Sequence, residues 1–365
     1  MLWLRRGLTI VNKSSDSNTQ DTQYTVQSYL TACVRLCRYV AKLSMNSTAN
    51  GSSGSWTCLN FTAWKIGGTI TFCLIFIVSL VANSLIVMIV YKTPNLRKPI
   101  NFFMANMASS DLLYSIFRIP WILSQMHTKY SFLIGGKVGQ ALCKLVPFFG
   151  NVSLFVSIQN LILIAVDRFG AVVFPLRSPL IRSKLCPFFI LATWIVAAAV
   201  SSPFLFAYEL IEYPEGNWCV IEWQKVLGES LSLASYQLAF FSLFIYIPVL
   251  LLVILYSIIV IKLKTQAHPG EQSANSQQQR DRRNRNVLQM SITIVTVFVL
   301  CWLPLSIILY QDTVTHLSCS FWIYDAVTFF MRTTYCAINP VICFMFSSNY
   351  RKALKRLIKC SFVQA

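Results

Sequence analysis

The sequence predicts an all-α membrane protein, a seven-transmembrane helix bundle followed by a short amphipathic cytoplasmic helix. Three observations support this fold class. Of the 365 residues, 55% are hydrophobic and 12% are charged, whereas soluble domains have about 45–50% apolar and about 25% charged residues. Seven long apolar segments follow one another along the chain. Basic residues are concentrated in alternate loops between these segments, as in membrane proteins.

Each apolar segment is long enough to cross a bilayer. A helix needs about 20 residues to span about 30 Å of hydrocarbon. Only helices and closed barrels satisfy the backbone in lipid, and barrel strands have only about 10 residues. We therefore predict membrane helices at approximately residues 65–91, 100–126, 140–172, 186–208, 231–261, 287–311 and 320–346.

The distribution of Lys and Arg predicts the orientation. The loops after the first, third and fifth segments and the C-terminal tail are basic, with Arg97, Arg182, Arg283 and Arg356 among their residues. These regions are therefore cytoplasmic and the N-terminus is extracellular. The net charge of +18 is explained in the same way. No nucleic-acid partner is predicted, because no soluble core is present to carry a basic face.

Residues 1–63 are predicted to be an extracellular glycosylated tail. They contain four Asn-x-Ser/Thr acceptors, Asn12, Asn46, Asn50 and Asn60. Such acceptors are used in the secretory lumen, in agreement with the predicted orientation. The tail is interpreted either as wholly part of the protein or as an upstream extension that precedes a true start at Met45.

The helix bundle is predicted to occupy residues 64–346, and residues 347–365 to form an amphipathic helix and a short tail. Tyr350 and Leu354 begin an apolar stripe opposite a basic face. A helix of this kind lies on a membrane surface. Cys360 at its end is a predicted palmitoylation site, with a reduced thiol as the alternative.

Charged residues inside membrane segments are costly and indicate functional sites. They occur in three segments here, as Asp111 and Arg118, Asp167 and Arg168, and Asp325 and Arg332. Cys143 and Arg168 are 25 residues apart, about 37 Å along a helix, and so lie on opposite sides of the membrane. A disulfide between Cys143 and Cys219 is chemically allowed on the outer side. Cys58 with Cys319, and Cys33 with Cys37, are further candidate pairs.

One landmark occurs in each segment, in a fixed order. They are Asn83, Asp111, Cys143 with Asp167 and Arg168, Trp194, Pro248, Cys301 with Trp302 and Pro304, and Asn339 with Pro340. Any one of them is a weak signal, because Pro and Trp are common in membrane helices. Together they resemble the rhodopsin-like (class A) G-protein-coupled receptors from residue 64 to the end. In character the sequence is closest to the neuropeptide receptors of that family.

The resemblance implies a role for each matching residue. It implies a disulfide between Cys143 and Cys219, and an allosteric sodium site formed by Asp111, Ser157 and Asn339. It implies G-protein coupling through Asp167, Arg168 and Tyr256. It implies an activation switch of Ile158, Pro248, Phe298, Trp302, Pro304, Asn339 and Pro340. The ligand-binding candidates are Arg118, Trp121, Gln125, Asn151, Asp312, Asp325 and Arg332.

The implied function is that of a receptor in the plasma membrane. It binds an extracellular peptide or small-molecule ligand and activates heterotrimeric G proteins, with arrestin as a further partner and no cofactor besides the sodium ion. The alternatives are a receptor for a small anionic ligand and a non-signalling decoy receptor. A transporter is disfavoured because the chain has no internal repeat. An enzyme is not predicted, since the chain has no nucleophile–base set or phosphate loop.

Three positions depart from the family pattern. Phe169 and Cys343 stand where the family has tyrosines, and Asn284 stands where some members have an acid. The loss of the hydroxyl at Cys343 removes a group used in the active state. These departures predict a looser resting state or atypical activation.

Several residues of the predicted binding region limit the chemical classes of ligand. Thr333 replaces the lysine that an opsin needs, and Gly150 replaces the aspartate of amine receptors. The second outer loop is acidic and aromatic, which favours a basic or amidated neuropeptide. Arg118 and Arg332 require a negative charge nearby. Either Asp325 or an anionic group on the ligand fulfils that need.

Overall fold

The computed structural model describes residues 61–128, 133–175, 179–214, 216–228, 233–265, 285–302 and 319–363. The chain falls into two units, Met1–Trp64 and Lys65–Ala365, and the second contains the helical bundle. Several predicted sites lie outside the described residues, namely Asn12, Cys33, Cys37, Asn46, Asn50, Cys58, Asn60, Asn284, Pro304 and Asp312. The side chains of Cys319, Asp325 and Cys360 are also outside what the structure describes.

Each predicted membrane segment contains a long helix, and an eighth helix follows the last. The helices are α1 (Phe61–Lys92), α2 (Pro99–His127), α3 (Gly136–Val173), α4 (Cys186–Ser201), α5 (Leu233–Phe241, Ser242–Tyr246 and Ile247–Thr265), α6 (Arg285–Trp302), α7 (Cys319–Phe346) and α8 (Ser348–Val363). Short helical turns at Pro94–Leu96, Ser183–Leu185, Pro203–Ala207 and Gln224–Leu227 lie between them.

Six of these helices are long and apolar enough to cross a membrane, and α2 is the more polar exception. With 29 residues, α2 is long enough to span, but it carries Asn101, Asn106, Asp111 and Arg118. Large apolar side chains are exposed on α1 and α5. In water so many exposed apolar side chains would favour association, whereas in a bilayer they face lipid.

A π-helical turn interrupts α5 at Ser242–Tyr246. Pro248 lies two residues beyond it, and a proline has no N–H to donate to the carbonyl four residues earlier, which is that of Phe244 within the turn. A π turn adds one residue to the helical repeat and absorbs this local misfit. The part of α5 before the turn is therefore rotated relative to the part after it.

Pro340 in α7 creates a link to α1. Pro340 has no N–H, so the carbonyl of Cys336, four residues earlier, does not receive the usual backbone hydrogen bond of the helix. That carbonyl instead accepts a hydrogen bond of 2.9 Å from the Asn83 side-chain amide and one of 3.3 Å from the Ser79 hydroxyl. Asn83, the landmark of the first segment, thus donates to the carbonyl that Pro340, the landmark of the seventh, leaves without a backbone donor.

A two-stranded antiparallel hairpin follows α4, which the all-α prediction did not include. Its strands are β1 (Tyr208–Tyr213) and β2 (Gly216–Ile221), with Leu210 opposite Cys219. The helical region was expected to continue to residue 208, but it ends with Pro203–Ala207. Pro214 and Gly216 between two apolar-rich runs were the turn signal. The bundle end beside this hairpin is called the hairpin end below, and the opposite one the α8 end.

Helix α8 confirms the predicted amphipathic helix. Tyr350 is buried, and its hydroxyl donates a hydrogen bond of 3.3 Å to Oδ1 of Asn101 in α2. The Arg351 guanidinium donates to the carbonyl of Phe344 at 2.8 Å, near the end of α7. These contacts fix the apolar face of α8 against the bundle and leave Lys352 and Arg356 exposed.

Candidate functional site

An ion pair lies at the α8 end of α3. The Arg168 guanidinium donates from Nε to Asp167 at 3.1 Å and makes a second, shorter contact from its terminal nitrogen. The side chain of Asp167 is 8% exposed and that of Arg168 is 17% exposed. Tyr256 of α5 is buried within electrostatic range of Arg168. The residues predicted for G-protein coupling are therefore neighbours.

Asp111 and Asn339 meet near the middle of the bundle. The Asn339 side-chain nitrogen donates a hydrogen bond of 2.9 Å to the Asp111 carboxylate, and both residues are 2% exposed. Ser157, the third predicted member, lies 3.2 Å from the Ser110 hydroxyl, and no contact described in the structure joins its side chain to Asp111 or Asn339. The Asn339 carbonyl oxygen is buried without a hydrogen-bond partner. The Asp111 carboxylate and the orphaned Asn339 amide oxygen are oxygen donors that suit a hard cation such as sodium.

The predicted switch residues form an aromatic group between α6 and α7. The Phe298 ring stacks on Trp302 with centroids 6.2 Å apart and meets Tyr335 edge-on at 5.5 Å. Phe298 and Ile158 are buried, while Pro248 is partly exposed. Cys343, further along α7, is also buried. A side-chain movement of Trp302 would therefore be transmitted to α7 through the Phe298 ring, which contacts Tyr335.

Asn106 in α2 joins three helices and was not singled out in the sequence. Its amide donates 3.1 Å hydrogen bonds to Asn160 of α3 and Thr193 of α4, and its oxygen accepts one of 2.8 Å from Trp194. The landmark Trp194 is therefore fixed by a polar contact as well as by packing. The available signal was a buried amide in a membrane segment, where a polar side chain needs a partner.

The hairpin is fastened to the start of α3. Cys143 and Cys219 form the predicted disulfide, with Cα atoms 5.6 Å apart. The β1 backbone N–H of Leu210 donates to the Gln140 side chain at 2.9 Å. The N–H of Gly136 donates to Glu212 at 2.6 Å. One covalent bond and two hydrogen bonds thus hold the hairpin against the bundle.

Acidic residues of the hairpin region are paired within the chain. Lys225 contacts Glu209 and lies 2.8 Å from Glu222. The hydrogen bond from Lys225 lowers the pKa of the Glu209 carboxyl, and the bonds to Glu209 and Glu222 raise the pKa of the Lys225 ammonium. Since Glu212 is bonded to Gly136, the acidic character of this loop is partly compensated.

Two arginines converge at the hairpin end of the bundle. The Arg118 guanidinium carbon lies 4.1 Å from the centroid of the Trp121 ring. The Arg332 guanidinium carbon lies 5.6 Å from the centroid of the Trp302 ring. Trp121 belongs to α2 and Trp302 to α6, so the predicted ligand residues border the predicted switch. Sequence spacing had placed both arginines about 10 Å above the Asp111 region.

The remaining ligand candidates are less closely grouped. Asn151 donates a hydrogen bond of 3.0 Å to the carbonyl of Pro147 in its own helix, and Gln125 is partly exposed in α2. Asp325 belongs to α7, but its side chain lies outside the described part. Tyr114 and Tyr208 lie beside Arg118 and were not predicted. From the sequence, position 208 was expected at the end of the fourth helix, and so the proximity of Tyr208 to Arg118 was not predicted.

Comparison with known proteins places these features in a family. Residues 82–342 match the family model described as 7 transmembrane receptor (rhodopsin family). The chain is 30% identical to the Allatostatin-A receptor of Bombyx mori over 298 residues, which cover 80% of this chain and 79% of that protein. It is 30% identical to the Neuropeptide Y receptor type 2 of Mus musculus, with 80% and 76% covered.

A further relative is longer than this chain. The RYamide receptor of Drosophila melanogaster is 28% identical over 296 residues, which cover 78% of this chain but 61% of that receptor, less than two thirds of its length. The family and these relatives are receptors, not enzymes, and the relatives are named for neuropeptides. The ordered landmarks, the helical bundle and the family match agree, and the chain belongs to the rhodopsin family of seven-transmembrane receptors.

Proposed function

We propose that this protein is a plasma-membrane receptor for a short neuropeptide and that it activates heterotrimeric G proteins. The observation that carries the proposal is similarity to neuropeptide receptors across about four fifths of the chain. The positive-inside pattern supports an extracellular hairpin end, where the peptide binds, and a cytoplasmic α8 end, where the G protein and arrestin bind.

The mechanism we propose is a population shift between two packings of the bundle. A ligand at the hairpin end contacts residues beside Trp302, whose ring stacks on Phe298. At the α8 end, release of Arg168 from Asp167 frees a guanidinium for the G protein. Each partner biases the same equilibrium, so the two binding events are coupled.

The experiment is a peptide screen with a direct signalling readout. Cells without related receptors express the full chain and are exposed to a library of short peptides, each in amidated and free-acid form. Nucleotide exchange is then recorded on a panel of G proteins. We expect at least one peptide to stimulate exchange, and the Arg168→Ala variant at matched surface level to respond weakly.

The competing interpretation is a decoy receptor, and Cys343 is the residue that favours it. A decoy binds a labelled peptide with saturable affinity but leaves exchange at the basal level on every G protein tested. Saturable binding without exchange would reject the signalling proposal. A panel without any binding peptide would reject the neuropeptide proposal.

The sodium site, the glycans and the palmitoyl chain are further parts of this proposal. Asp111, Ser157 and Asn339 would hold the ion and thereby favour the resting packing. The four acceptor asparagines of the tail would carry glycans, and Cys360 would anchor α8. Mass spectrometry of receptor purified from cells measures both modifications, and peptides found only in unmodified form would reject them.

A further inference from the structure

Arg118 and Arg332 form a pair of positive charges inside the membrane-spanning bundle, where charges are costly. They belong to α2 and α7, and their charges are near enough to repel each other. Both side chains are partly buried, and Nε of Arg332 is buried without a hydrogen-bond acceptor. Cations placed within a membrane bundle require a negative partner, a water-filled cavity or both.

The described residues do not supply that negative partner. In the described part of the chain, the three ion pairs involve Arg168 and Lys225, and neither Arg118 nor Arg332 takes part. Tyr208 lies beside Arg118, but burial raises the pKa of its phenol, so that it stays neutral. A neutral phenol accepts a hydrogen bond without balancing the charge.

The space beside Arg118 is left open by a glycine. A Cβ atom on Gly150 of α3 would lie 3.8 Å from Cδ of Arg118, in ordinary contact. A larger side chain at position 150 would therefore extend across the arginine. Glycine leaves this approach clear at the position where amine receptors of the family carry an acid. Helix α3 therefore supplies no carboxylate at position 150 to neutralise the charge of Arg118.

The surroundings of the two guanidinium groups are aromatic. Arg118 lies over Trp121, while Arg332 lies over Trp302 and 5.1 Å from the centroid of Phe329. Stacking holds a guanidinium plane in place and leaves its N–H fork available. Carboxylates fit that fork through paired, charge-assisted hydrogen bonds. The aromatic faces next to it fit a flat or apolar group.

We propose that Arg118 and Arg332 together bind a carboxylate that is carried beside an aromatic group. This proposal rests on the proposed peptide-receptor function. The buried end of the peptide ligand is then a free C-terminal carboxylate, carried by an aromatic last residue. This proposal differs from the amidated ligand that the acidic outer loop favours, because an amidated C-terminus has no carboxylate. The acidic hairpin residues are compensated by Lys225, which agrees with an anionic ligand.

The test compares two probes that differ in a single group. N-acetylphenylalanine carries the carboxylate, and N-acetylphenylalaninamide is its neutral counterpart. Thermal unfolding of the purified full-length receptor in nanodiscs is measured over a concentration series of each probe. We expect the acid to raise the melting temperature in a saturable manner, and the amide to have little effect at the same concentrations.

Variants assign the effect to the two arginines. Arg118→Gln and Arg332→Gln should each weaken the apparent affinity for the acid about 10- to 100-fold. Arg182→Gln, at an exposed arginine near the α8 end, should leave it unchanged. If the glutamine variants do not fold, Arg118→Lys and Arg332→Lys keep the charge and lose the fork. These lysine variants should bind the acid more weakly than the wild type.

Asp325→Asn tests an internal acid of α7 whose side chain lies outside the described part of the chain. The acid should bind this variant as well as the wild type or more tightly. If the acid binds only after Asp325 is removed, Asp325 is the resident partner and the proposal is overturned. Equal stabilisation by acid and amide, or an unchanged acid effect in both glutamine variants, also overturns it.

The two proposals fail in different ways. If the peptide screen finds only amidated agonists, the carboxylate site is wrong while the receptor function stands. If the acid probe binds through the arginines but no peptide stimulates nucleotide exchange, the site stands and the signalling function is wrong.

Discussion

Arg168 is held by the carboxylate of the residue directly before it in the chain. Neighbouring residues of a helix point in directions about 100° apart, so this contact requires the arginine to fold back along its own helix. Such a contact restrains the guanidinium without joining two helices. It can therefore be released while the bundle changes its packing, which suits a group that must later meet a different partner.

Asp167→Asn should raise ligand-independent nucleotide exchange. The substitution replaces a charge-assisted contact, worth about 1.5–3 kcal/mol, with a weaker neutral one. The population with Arg168 released should grow by about 10-fold if that contact alone holds it. Exchange is measured in membranes at matched receptor density. Asp167→Glu, which keeps the charge, is the control and should remain near the wild type. Basal exchange equal in all three proteins would contradict a restraining role.

Asp111→Asn should remove the effect of sodium on receptor stability. If sodium binds the Asp111 and Asn339 oxygens, replacing choline chloride with sodium chloride at several times the dissociation constant stabilises the wild type by about 1 kcal/mol. The asparagine variant lacks the charge that attracts the ion and should show the same melting temperature in both salts. Potassium chloride serves as the control for ionic strength. A sodium shift that persists in the variant would place the ion elsewhere.

At the scale of elements, the hairpin and the start of α3 act as one unit. The disulfide closes a loop of sequence separation 76, and Gly139 of α3 lies directly beneath the hairpin. A Cβ on Gly139 would lie 1.9 Å from the backbone oxygen of Ile134 and 2.9 Å from a methyl of Leu210. Backbone atoms cannot rotate away as a side chain does, so only glycine allows this close approach.

Gly139→Ala should destabilise the receptor by about 1–3 kcal/mol, the usual range for overpacking. Either the segment before α3 or strand β1 must move to admit the methyl group. The melting temperature of purified receptor measures the loss. Gly67→Ala in α1 is the matched control, since it meets no atom within 4 Å and alanine favours a helix. A Gly139→Ala variant as stable as Gly67→Ala would show that the hairpin is not closely packed on α3.

The long elements follow from the sequence, while the contacts between them mostly do not. Length and hydropathy suffice for the seven helices because lipid leaves the backbone few alternatives. The hairpin was missed because its two short strands were interpreted as an acidic outer loop, and the turn signal at Pro214 and Gly216 was not used. The seven-residue spacing of Arg118 and Arg332 from Asp111 and Asn339 predicted their common depth. The open space beside Gly150 and the hydrogen bonds of Asn106 depend on how separate helices pack together. The hydrophobic periodicity of a single helix does not predict that packing.

At the scale of the whole molecule, polar contacts unite one part of the bundle. Hydrogen bonds between side chains and neighbouring helices join α1, α2, α3, α4 and α7, through residues such as Asn83, Asn106 and Asp111. Helix α6 meets α7 through rings that include Phe298 and Tyr335. Ring contacts tolerate sliding better than directed hydrogen bonds do. We therefore expect α6 to move relative to the frame formed by these five helices.

Cys343→Tyr should strengthen stimulated nucleotide exchange. The new phenol restores the hydroxyl that the family uses in its active packing, and a hydrogen bond of about 0.5–1.5 kcal/mol corresponds to roughly 2- to 10-fold in the active population. Cys343→Phe adds similar bulk without the hydroxyl and is the control. Exchange is measured with the most active peptide from the screen. If the two variants respond equally, the missing hydroxyl does not limit activation.

Several buried polar atoms have no hydrogen-bond partner in the described packing, and they include atoms of the predicted switch. Nε of Arg332, Nε1 of Trp302 and Oδ1 of Asn339 are among them. Each unmatched group costs about 1–3 kcal/mol. A second packing that pairs even two of them gains free energy without giving up an existing bond. Where no ion or ligand satisfies these atoms, the bundle is locally frustrated between the arginine pair and Asn339, and this frustration narrows the energy gap that a ligand must overcome.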